Sequence, residues 1–298
     1  MEDAGQNRIS VLRDNQLVPL VPCISGKHSE PQPWRGVLLE RHTMAPTELP
    51  EHEHRELCLH LQLSGDDKMR WWSGGAEGVE RTFPGSIMVV PAGTRDRAVW
   101  HGSSERLILS IRPEILNEIA ASTGSTTPEF GAQWSLRDPA LGGLMSEMGR
   151  EAVEGWPLGS LYADLMATGL VSQLLYRHAV NSVDLRHLRG GLPVPQLRRA
   201  MEYISENLAR DVRLEEVAGE VKLSPFHFAR EFRAATGKTP YQYLLDQRMD
   251  KAKHLLKHHS WPVQEIAGMT GFQSAVNFGR TFRQRVGVTP GVWRRDSR

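Results

Sequence analysis

The 298-residue sequence contains only two cysteines, Cys23 and Cys58, so a scaffold held together by several disulfide bonds is excluded. It also lacks long apolar runs, because stretches such as 87–90 are far shorter than the ~18 residues of a bilayer-spanning helix. The first residues, MEDAGQNRIS, are not a cationic start followed by an apolar stretch, so no signal peptide is expected. We therefore expect a soluble, cytoplasmic protein without a membrane partner and with room for two domains.

A large excess of charge of one sign is also absent, since the formal net charge is +1, but the two halves of the chain differ. Residues 193–298 contain 18 Lys or Arg and 11 Asp or Glu, a balance of +7. Residues 1–192 contain 18 basic and 24 acidic residues, a balance of −6. The basic half favours a polyanionic partner such as nucleic acid, and a solvated basic face is the alternative.

Glycine and proline residues divide the chain into regions of different pattern. Residues 35–111 predict short strands separated by glycine turns. Residues 158–180 have apolar positions at helical spacing. The segment 189–195, with two glycines and two prolines in seven residues, predicts a linker. The pattern indicates an α+β protein with an all-β region followed by helices.

The C-terminal half contains an internal repeat of about fifty residues. Four positions between 214 and 218 return 49 residues later, and seven positions between 228 and 240 return 50 residues later. The seven pairs are Phe228 and Phe278, Arg230 and Arg280, Phe232 and Phe282, Arg233 and Arg283, Gly237 and Gly287, Thr239 and Thr289, and Pro240 and Pro290. Two copies of one supersecondary unit would tolerate one added residue in the turn between these groups.

Each copy predicts a short helix, a turn, a second helix and a glycine stop, which together form a helix-turn-helix unit. In the first copy Ser224 is the expected N-cap, Pro225 the first helical residue and Gly237 the left-handed C-cap. The repeated phenylalanines recur at i and i+4, so we expect them in the core. The repeated arginines lie outside this apolar stripe at the same phase in both copies, which a merely solvated face would not require.

Residues 193–298 resemble the AraC-type DNA-binding domain over their whole length. The residues that carry the resemblance are, in chain order, Leu223-Ser224-Pro225, His227-Phe228, Arg230, Phe232, Thr236-Gly237, Thr239-Pro240, Arg248-Met249, Ala252, Leu255-Leu256, Ile266-Ala267, Gly271-Phe272, Phe278, Arg280, Phe282, Gly287 and Thr289-Pro290. The resemblance implies a long helix at about 241–257 that joins the two units, and recognition helices at about 225–236 and 274–286. These helices would enter successive major grooves on one face of double-stranded DNA, about 34 Å apart.

By this resemblance, the candidate DNA-binding residues lie on the two recognition helices, most of them near the N-termini. They are Phe226, His227, Arg230 and Arg233 in the first copy, and Ala275, Val276, Asn277, Arg280 and Arg283 in the second. Arginine and asparagine form bidentate contacts to guanine and adenine, and apolar side chains pack on thymine methyl groups. The later arginine of each pair suits phosphate contacts. For His227 a packed structural role is the alternative.

Two segments of the N-terminal half resemble degraded forms of the two cupin motifs, which belong to a small β-barrel. The segments are His52-x-His54 followed by Glu56 and Gly65, and Gly85-x5-Pro91-x-Gly93. If 52–63 is one strand, its period of two creates one polar face. That face would carry His52, His54, Glu56, Cys58, His60 and Gln62.

The sequence departs from the pattern of metal-binding cupins, because Asp96 stands where the last histidine is expected and Glu56 follows His54 too closely. We therefore expect a small-molecule effector pocket without a metal or other cofactor. An octahedral metal site built from His52, His54 and Asp96 is the alternative. The expected pocket residues are His52, His54, Trp72, Asp96 and Trp100.

These patterns predict a cupin-like sensor domain at 1–135, a helical arm at 136–188, a linker at 189–195 and an AraC-type double helix-turn-helix domain at 196–298. The arm resembles segments that often carry dimer contacts in AraC-type regulators, and packing on its own barrel is the alternative. The predicted function is sequence-specific transcription regulation, and no catalytic residues are expected. The expected partners are double-stranded DNA, a small-molecule effector and a second copy of the chain, with RNA polymerase left open.

The rival function is a cupin metalloenzyme fused to a DNA-binding module, which would need an intact metal triad. A DNA-repair methyltransferase fused to this type of domain would need a cluster of thiolate ligands, and two isolated cysteines exclude it.

Overall fold

The computed structural model describes residues 8–21, 34, 36–122, 127–181 and 191–297. Contacts divide them into two compact units, the first formed by 8–152 with 169–181 and the second by 153–168 with 191–297. The first unit is rich in β-strands and the second is helical, so the predicted α+β fold class is confirmed. Cys23 and the first two residues of the predicted linker lie outside the described residues.

Two antiparallel sheets, with strands labelled in chain order, form the body of the first unit. The first sheet contains, in spatial order, β2 (Gln16–Pro19), β1 (Ser10–Arg13), β4 (Thr47–His54), β9 (Arg95–Trp100), β6 (Asp67–Ser73) and β7 (Ala76–Thr82). The second sheet contains β11 (Gln133–Leu136), β8 (Ile87–Val90), β5 (Leu57–Ser64), β10 (Ser104–Ile111) and β3 (Val37–Met44). This arrangement is compatible with the predicted cupin-like domain.

One buried cluster joins the facing sides of the two sheets. It contains Met69 and Ala98 from the first sheet and Cys58, Met88 and Ile108 from the second. The sheets therefore pack face to face, and the alternate residues of each strand point into the space between them. The polar residues discussed below share this interior face.

The condition that 52–63 is one strand does not hold, because the chain changes sheets there. β4 ends at His54 in the first sheet, and β5 begins at Leu57 in the second. The two strands nevertheless face each other across the interior, and the ring centroids of His54 and His60 lie 6.4 Å apart. Glu56, which was predicted on the polar face, lies between the two strands. Its carboxylate accepts a hydrogen bond from the Ser110 hydroxyl group.

Three helices follow β10, with β11 between the first two: α1 (Pro113–Ser122), α2 (Pro139–Val153) and α3 (Ser160–His178). α2 approaches the second sheet closely, since a Cβ atom added at Gly149 would lie 2.7 Å from Leu107 Cδ1. α3 contributes residues 160–168 to the second unit and the remainder to the first. The segment 136–188, predicted as one arm, thus contains residues of both units.

The second unit contains seven further helices within the described residues. They are α4 (Val194–Glu206), α5 (Leu214–Glu220), α6 (Pro225–Thr236), α7 (Pro240–His258), α8 (Val263–Met269), α9 (Ala275–Val286) and α10 (Pro290–Asp296). α5 with α6 and α8 with α9 are the two predicted helix-turn-helix units, and α7 joins them. α4 begins at Val194, so the last two residues of the predicted linker are helical, because proline is tolerated in a first turn.

Arg248 and one glycine join α7, the loop between α4 and α5, and the turn of the second helix-turn-helix unit. The buried Arg248 guanidinium donates from Nε to the Leu208 carbonyl group at 3.0 Å and from Nη2 to the Arg210 carbonyl group at 2.9 Å. Gly271, with φ +78°, lies so close that an added Cβ atom would be 2.2 Å from the Leu208 oxygen. Glycine is required there for both its backbone conformation and its size.

Within the second unit, two carboxylates join the start of α3 to the start of α5 and the loop before it. Asp211 accepts hydrogen bonds from the Ser160 backbone N–H at 2.8 Å and from the Ser160 hydroxyl group at 2.5 Å. Asp164 in turn accepts a hydrogen bond from the Leu214 backbone N–H at 3.0 Å, at the start of α5. Each helix N-terminus thus receives a carboxylate acceptor for otherwise unpaired amide groups.

Among the described helices, none combines the length and the apolar composition required to span a lipid bilayer.

Candidate nucleic-acid interface and interior polar cluster

The two predicted recognition helices begin and end through the same local chemistry. Ser224 accepts a hydrogen bond from the His227 backbone N–H at 3.3 Å, and Ser274 accepts one from the Asn277 backbone N–H at 3.2 Å. Gly237 ends α6 with φ 72°, and the equivalent glycine ends α9 in the same left-handed conformation. The predicted caps Ser224 and Gly237 of the first copy are confirmed, and the structure adds Ser274, predicted at the start of the second recognition helix, as the N-cap of α9.

The repeated phenylalanines form the inner faces of these helices, as predicted. Phe228 and Phe232 in α6, and Phe278 and Phe282 in α9, are fully buried in one core cluster. Because helical side chains point outward around the axis, this burial turns the opposite faces of α6 and α9 toward solvent.

The outer face of α9 has the character expected of a nucleic-acid reader. Val276 is 71% exposed, and Arg280 and Arg283 are also exposed. Ala275 and Asn277 are partly exposed beside them. Arg280 Nη1 lies 3.9 Å from a carboxylate oxygen of Glu154, and surface pairs of this kind are weak.

The outer face of α6 differs from that of α9 at the equivalent positions. Phe226 was predicted to contact DNA, which requires an exposed side chain, but it is only 8% exposed, and the Arg230 guanidinium carbon lies 5.9 Å from its ring centroid. A large aromatic side chain has more apolar surface to bury than the valine at position 276. Arg233 is exposed and His227 is partly exposed.

Glu231 creates the main electrostatic difference between the two helices. Its carboxylate accepts hydrogen bonds from Arg230 Nε at 2.9 Å and Nη2 at 2.5 Å, and His227 Nε2 lies 3.6 Å away. The position equivalent to Glu231 in α9 is Thr281, which carries no charge. Arg230 is therefore already paired, and the prediction missed this because it considered only residues that the copies share.

Inside the first unit, His52 and His54 in β4 and Asp96 in β9 converge on one point. His52 pairs with Asp96 in the strand register, and all three side chains are buried. The two Nε2 atoms are 3.1 Å apart, and Asp96 Oδ1 is 3.1 Å from His54 Nε2 and 3.9 Å from His52 Nε2. These edges define a circle of about 2 Å radius, which matches the ~2.0–2.2 Å ligand distances of a divalent metal ion.

The same three groups can also hold a proton instead of a metal ion. His52 donates from Nδ1 to the Pro50 carbonyl group at 2.8 Å, and burial lowers its pKa, so its Nε2 atom is an acceptor. Burial lowers the pKa of His54, but hydrogen bonds to Asp96 and Cys58 outweigh this and raise it to about 9. A protonated His54 can share its Nε2–H between His52 and Asp96, so a metal ion would have to displace that proton.

The two tryptophans predicted for the effector pocket lie on different faces. Trp100 is buried in the interior cluster with Met88 and Ile108. Trp72 lies on the outer face of the first sheet, where its Nε1–H donates to Glu77 and the Arg97 guanidinium carbon is 4.8 Å from its ring. The prediction that Trp72 lines the pocket is therefore wrong. Successive strand residues point to opposite faces, and its neighbour Trp71 is the one that points inward.

The interior also contains polar residues that the prediction missed or left without a role. Arg106 is only 2% exposed and is in register with buried Gln62, and buried His60 lies two residues from Gln62 along β5. Its Nε donates to the Ser104 hydroxyl at 3.1 Å and its Nη1 to the Met88 sulfur at 3.8 Å, whereas Nη2 has no partner. The sequence signal that could have identified Arg106 is its spacing of two residues from Ile108, which places both side chains on the inward face of β10.

The Arg106 guanidinium is a buried cation without a paired anion among the described residues. Burial lowers its pKa to about 10, so it stays protonated at neutral pH. Its guanidinium carbon lies 4.3 Å from the Trp100 ring centroid, a contact worth about 2 kcal/mol when desolvated. The cost of burying an ion is several kcal/mol, so this contact does not offset it.

Comparison with known proteins agrees with this geometry in the second unit. Residues 217–296 match the family described as "Helix-turn-helix domain". The regulatory protein PocR of Salmonella typhimurium is 37% identical over 99 residues, which are 33% of this chain and 33% of that protein. The arabinose operon regulatory protein of Escherichia coli is 30% identical over 206 residues, which are 67% of this chain and 61% of that protein.

The C-terminal domain is an AraC-type helix-turn-helix domain. Both curated relatives are regulatory proteins and not enzymes, and this chain spans less than two thirds of the length of either. A solved transcriptional regulator from Chromobacterium violaceum, described as AraC-type, is 27% identical to the AraC-type domain. The match covers 35% of this chain and 92% of that chain, with a TM-score of 0.34.

Proposed function

We propose that this protein is a sequence-specific DNA-binding transcription regulator. The observation that carries the proposal is the second copy of the helix-turn-helix unit, whose α9 presents exposed apolar and cationic side chains above a buried phenylalanine face. α7 joins this copy to the first, in the arrangement that would place α6 and α9 in successive major grooves. The alternative of a metalloenzyme has no support from the relatives, which are regulators.

Within α9, each residue type suits a different part of the DNA. Arg280 and Asn277 suit bidentate contacts to guanine and adenine, and Val276 with Ala275 suits thymine methyl groups. Arg283 lies farther from the helix N-terminus and suits phosphate. In α6 the exposed Arg233 suits phosphate, and His227 remains a candidate reader.

Arg230 can read a base only if it exchanges Glu231 for DNA. Its Nε and Nη2 atoms are both bound to that carboxylate, so the ion pair must break first. Buried Phe226 is withdrawn as a reader. Of the two helices, α9 therefore supplies the larger share of base recognition.

The N-terminal unit is the proposed sensor, acting in the cytoplasm. Its cupin-like sheets enclose a polar cluster that includes His52, His54, Asp96 and Trp100, and buried polar groups in an apolar interior are typical of small-molecule sites. Effector binding would alter DNA affinity only if it favours one conformation or oligomeric state. A homodimer and RNA polymerase are the further proposed partners.

The test is fluorescence anisotropy of the full-length protein with DNA fragments from upstream of its own and neighbouring genes. We expect one fragment to bind more tightly than unrelated DNA of equal length, with an affinity that falls steeply as salt rises. An Arg280→Ala variant is measured beside the wild type, because it removes a proposed base-reading residue from the helix surface. Equal affinity for all fragments, or no binding at low salt, would contradict the proposal.

A further inference from the structure

The most unusual group of the N-terminal unit is the buried Arg106 guanidinium. Nη1 has only a sulfur partner, and Nη2 has none. The acidic residue that acts on its pKa is Asp67, whose Oδ2 already accepts hydrogen bonds from the backbone N–H groups of His101 and Gly102, at 2.7 and 2.6 Å. The edge of the guanidinium that binds carboxylates best thus has no anion among the described residues.

Other buried polar atoms without partners lie on the strands around this group. Gln62 Oε1 and His60 Nε2 have none on β5, and Trp100 Nε1 has none on β9. Burial and nearby positive charge, including that of Arg106, lower the pKa of His60, so it is neutral. Buried polar atoms are nearly always hydrogen-bonded, so several together indicate a missing partner.

We propose that Arg106, Gln62, His60 and Trp100 form the site of a small carboxylate effector that enters the space between the two sheets. The carboxylate oxygens would accept hydrogen bonds from Nη1 and Nη2 of Arg106 and from the Trp100 Nε1–H, whereas Gln62 Oε1 accepts only and would face the body of the molecule. This assignment rests on the proposed sensor function and gives its ligand a chemical class.

A carboxylate with an apolar body fits the surroundings of Arg106. Arg106 has no anion among the described residues, whereas the charge of His54 is matched by Asp96 at 3.1 Å. The buried Met88 and Ile108 side chains belong to the same cluster as Trp100 and supply apolar walls.

The test is isothermal titration calorimetry of the full-length protein with acetate, butyrate, hexanoate and benzoate, each compared with its uncharged amide at equal ionic strength. We expect at least one carboxylate to bind with one molecule per chain, and its amide not to bind. Arg106→Gln should weaken binding at least ~30-fold, because it removes one partner of a buried charged pair. Arg97→Gln, on the outer face of the first sheet, is the matched control and should bind as the wild type does.

If Arg106→Gln does not fold, the comparison of carboxylate and amide binding by the wild type still tests the inference. The two compounds differ only in the group that Arg106 would recognise. Arg106→Lys then provides the second variant, expected to bind more weakly than the wild type because it lacks the paired donors. The inference is overturned if no carboxylate binds, if Arg106→Gln binds like the wild type, or if inorganic phosphate binds more tightly than every carboxylate. Anisotropy with DNA is measured separately, so loss of carboxylate binding with intact DNA binding refutes this site and leaves the regulator function standing.

Discussion

Replacing Asp164 by asparagine should stabilise the protein at neutral pH. Asp164 lies in the first turns of α3, and its carboxylate accepts a hydrogen bond from the Leu214 backbone N–H at 3.0 Å. Burial raises the pKa of this carboxyl group to about 6, and the hydrogen bond from Leu214 and the charge of Arg213 only partly oppose the effect. Asparagine keeps a carbonyl acceptor for that hydrogen bond but cannot carry the buried charge.

The magnitude follows from linkage between protonation and folding. The pKa of Asp164 rises from 3.8 in a free side chain to about 6 in the fold, so the folded state binds the proton more tightly than the unfolded state. The associated stability is present below about pH 4 and is lost as the pH rises through 6. At pH 7 the charged carboxylate therefore costs the wild type about 2 to 3 kcal/mol, which Asp164→Asn should recover.

The assay is urea denaturation followed by far-UV circular dichroism, between pH 4 and pH 7. Asp164→Asn should unfold at higher urea concentration than the wild type at pH 7, and the difference should shrink toward zero at pH 4. Asp211→Asn is the control. The Asp211 carboxylate accepts two hydrogen bonds from Ser160, so its replacement should destabilise the protein by about 1 kcal/mol. A destabilised Asp164→Asn, or a difference that does not change with pH, would refute the reasoning.

Three further predictions concern the two sites. Arg280→Ala should cost about 1–3 kcal/mol of DNA affinity and relax base preference at one position, whereas Arg283→Ala should weaken all sequences equally and reduce the salt slope by about 1, as measured by anisotropy. Glu231→Gln should raise DNA affinity, because it removes the anion that holds the first-copy arginine; unchanged affinity would mean that this arginine does not contact DNA. Elemental analysis of the purified protein should detect no stoichiometric transition metal, and one ion per chain, lost in both His52→Ala and Asp96→Ala, would contradict this.

The helix-turn-helix repeat could be predicted from sequence because its signals are local. Caps such as Ser224 and Gly237 act within one turn of the chain, and the spacing of Phe228 and Phe232 defines a helical face without reference to any distant residue. The duplication added a second, independent copy of each signal. The burial of Phe226 was not predictable in this way, since it depends on what covers the helix and not on its period.

The N-terminal site depends on contacts that no local pattern encodes. Histidines at 52 and 54 indicated a polar face, but only the paired sheets place His60 and Arg106 opposite them. A shift of one residue turns a strand side chain to the other face. The prediction placed Trp72 inside, whereas its neighbour Trp71 is the one that points inward.

The sequence by itself therefore determined the fold class and the double helix-turn-helix architecture of the C-terminal half, because helix periodicity, caps and repeated positions are properties of neighbouring residues. The tertiary structure alone decided which charges are already paired. Glu231 holds Arg230, and Asp96 faces the interior histidines, whereas Arg106 has no anion within the described fold. Electrostatic energy depends on distance in space and on burial, and neither is set until strands far apart in the chain have packed together.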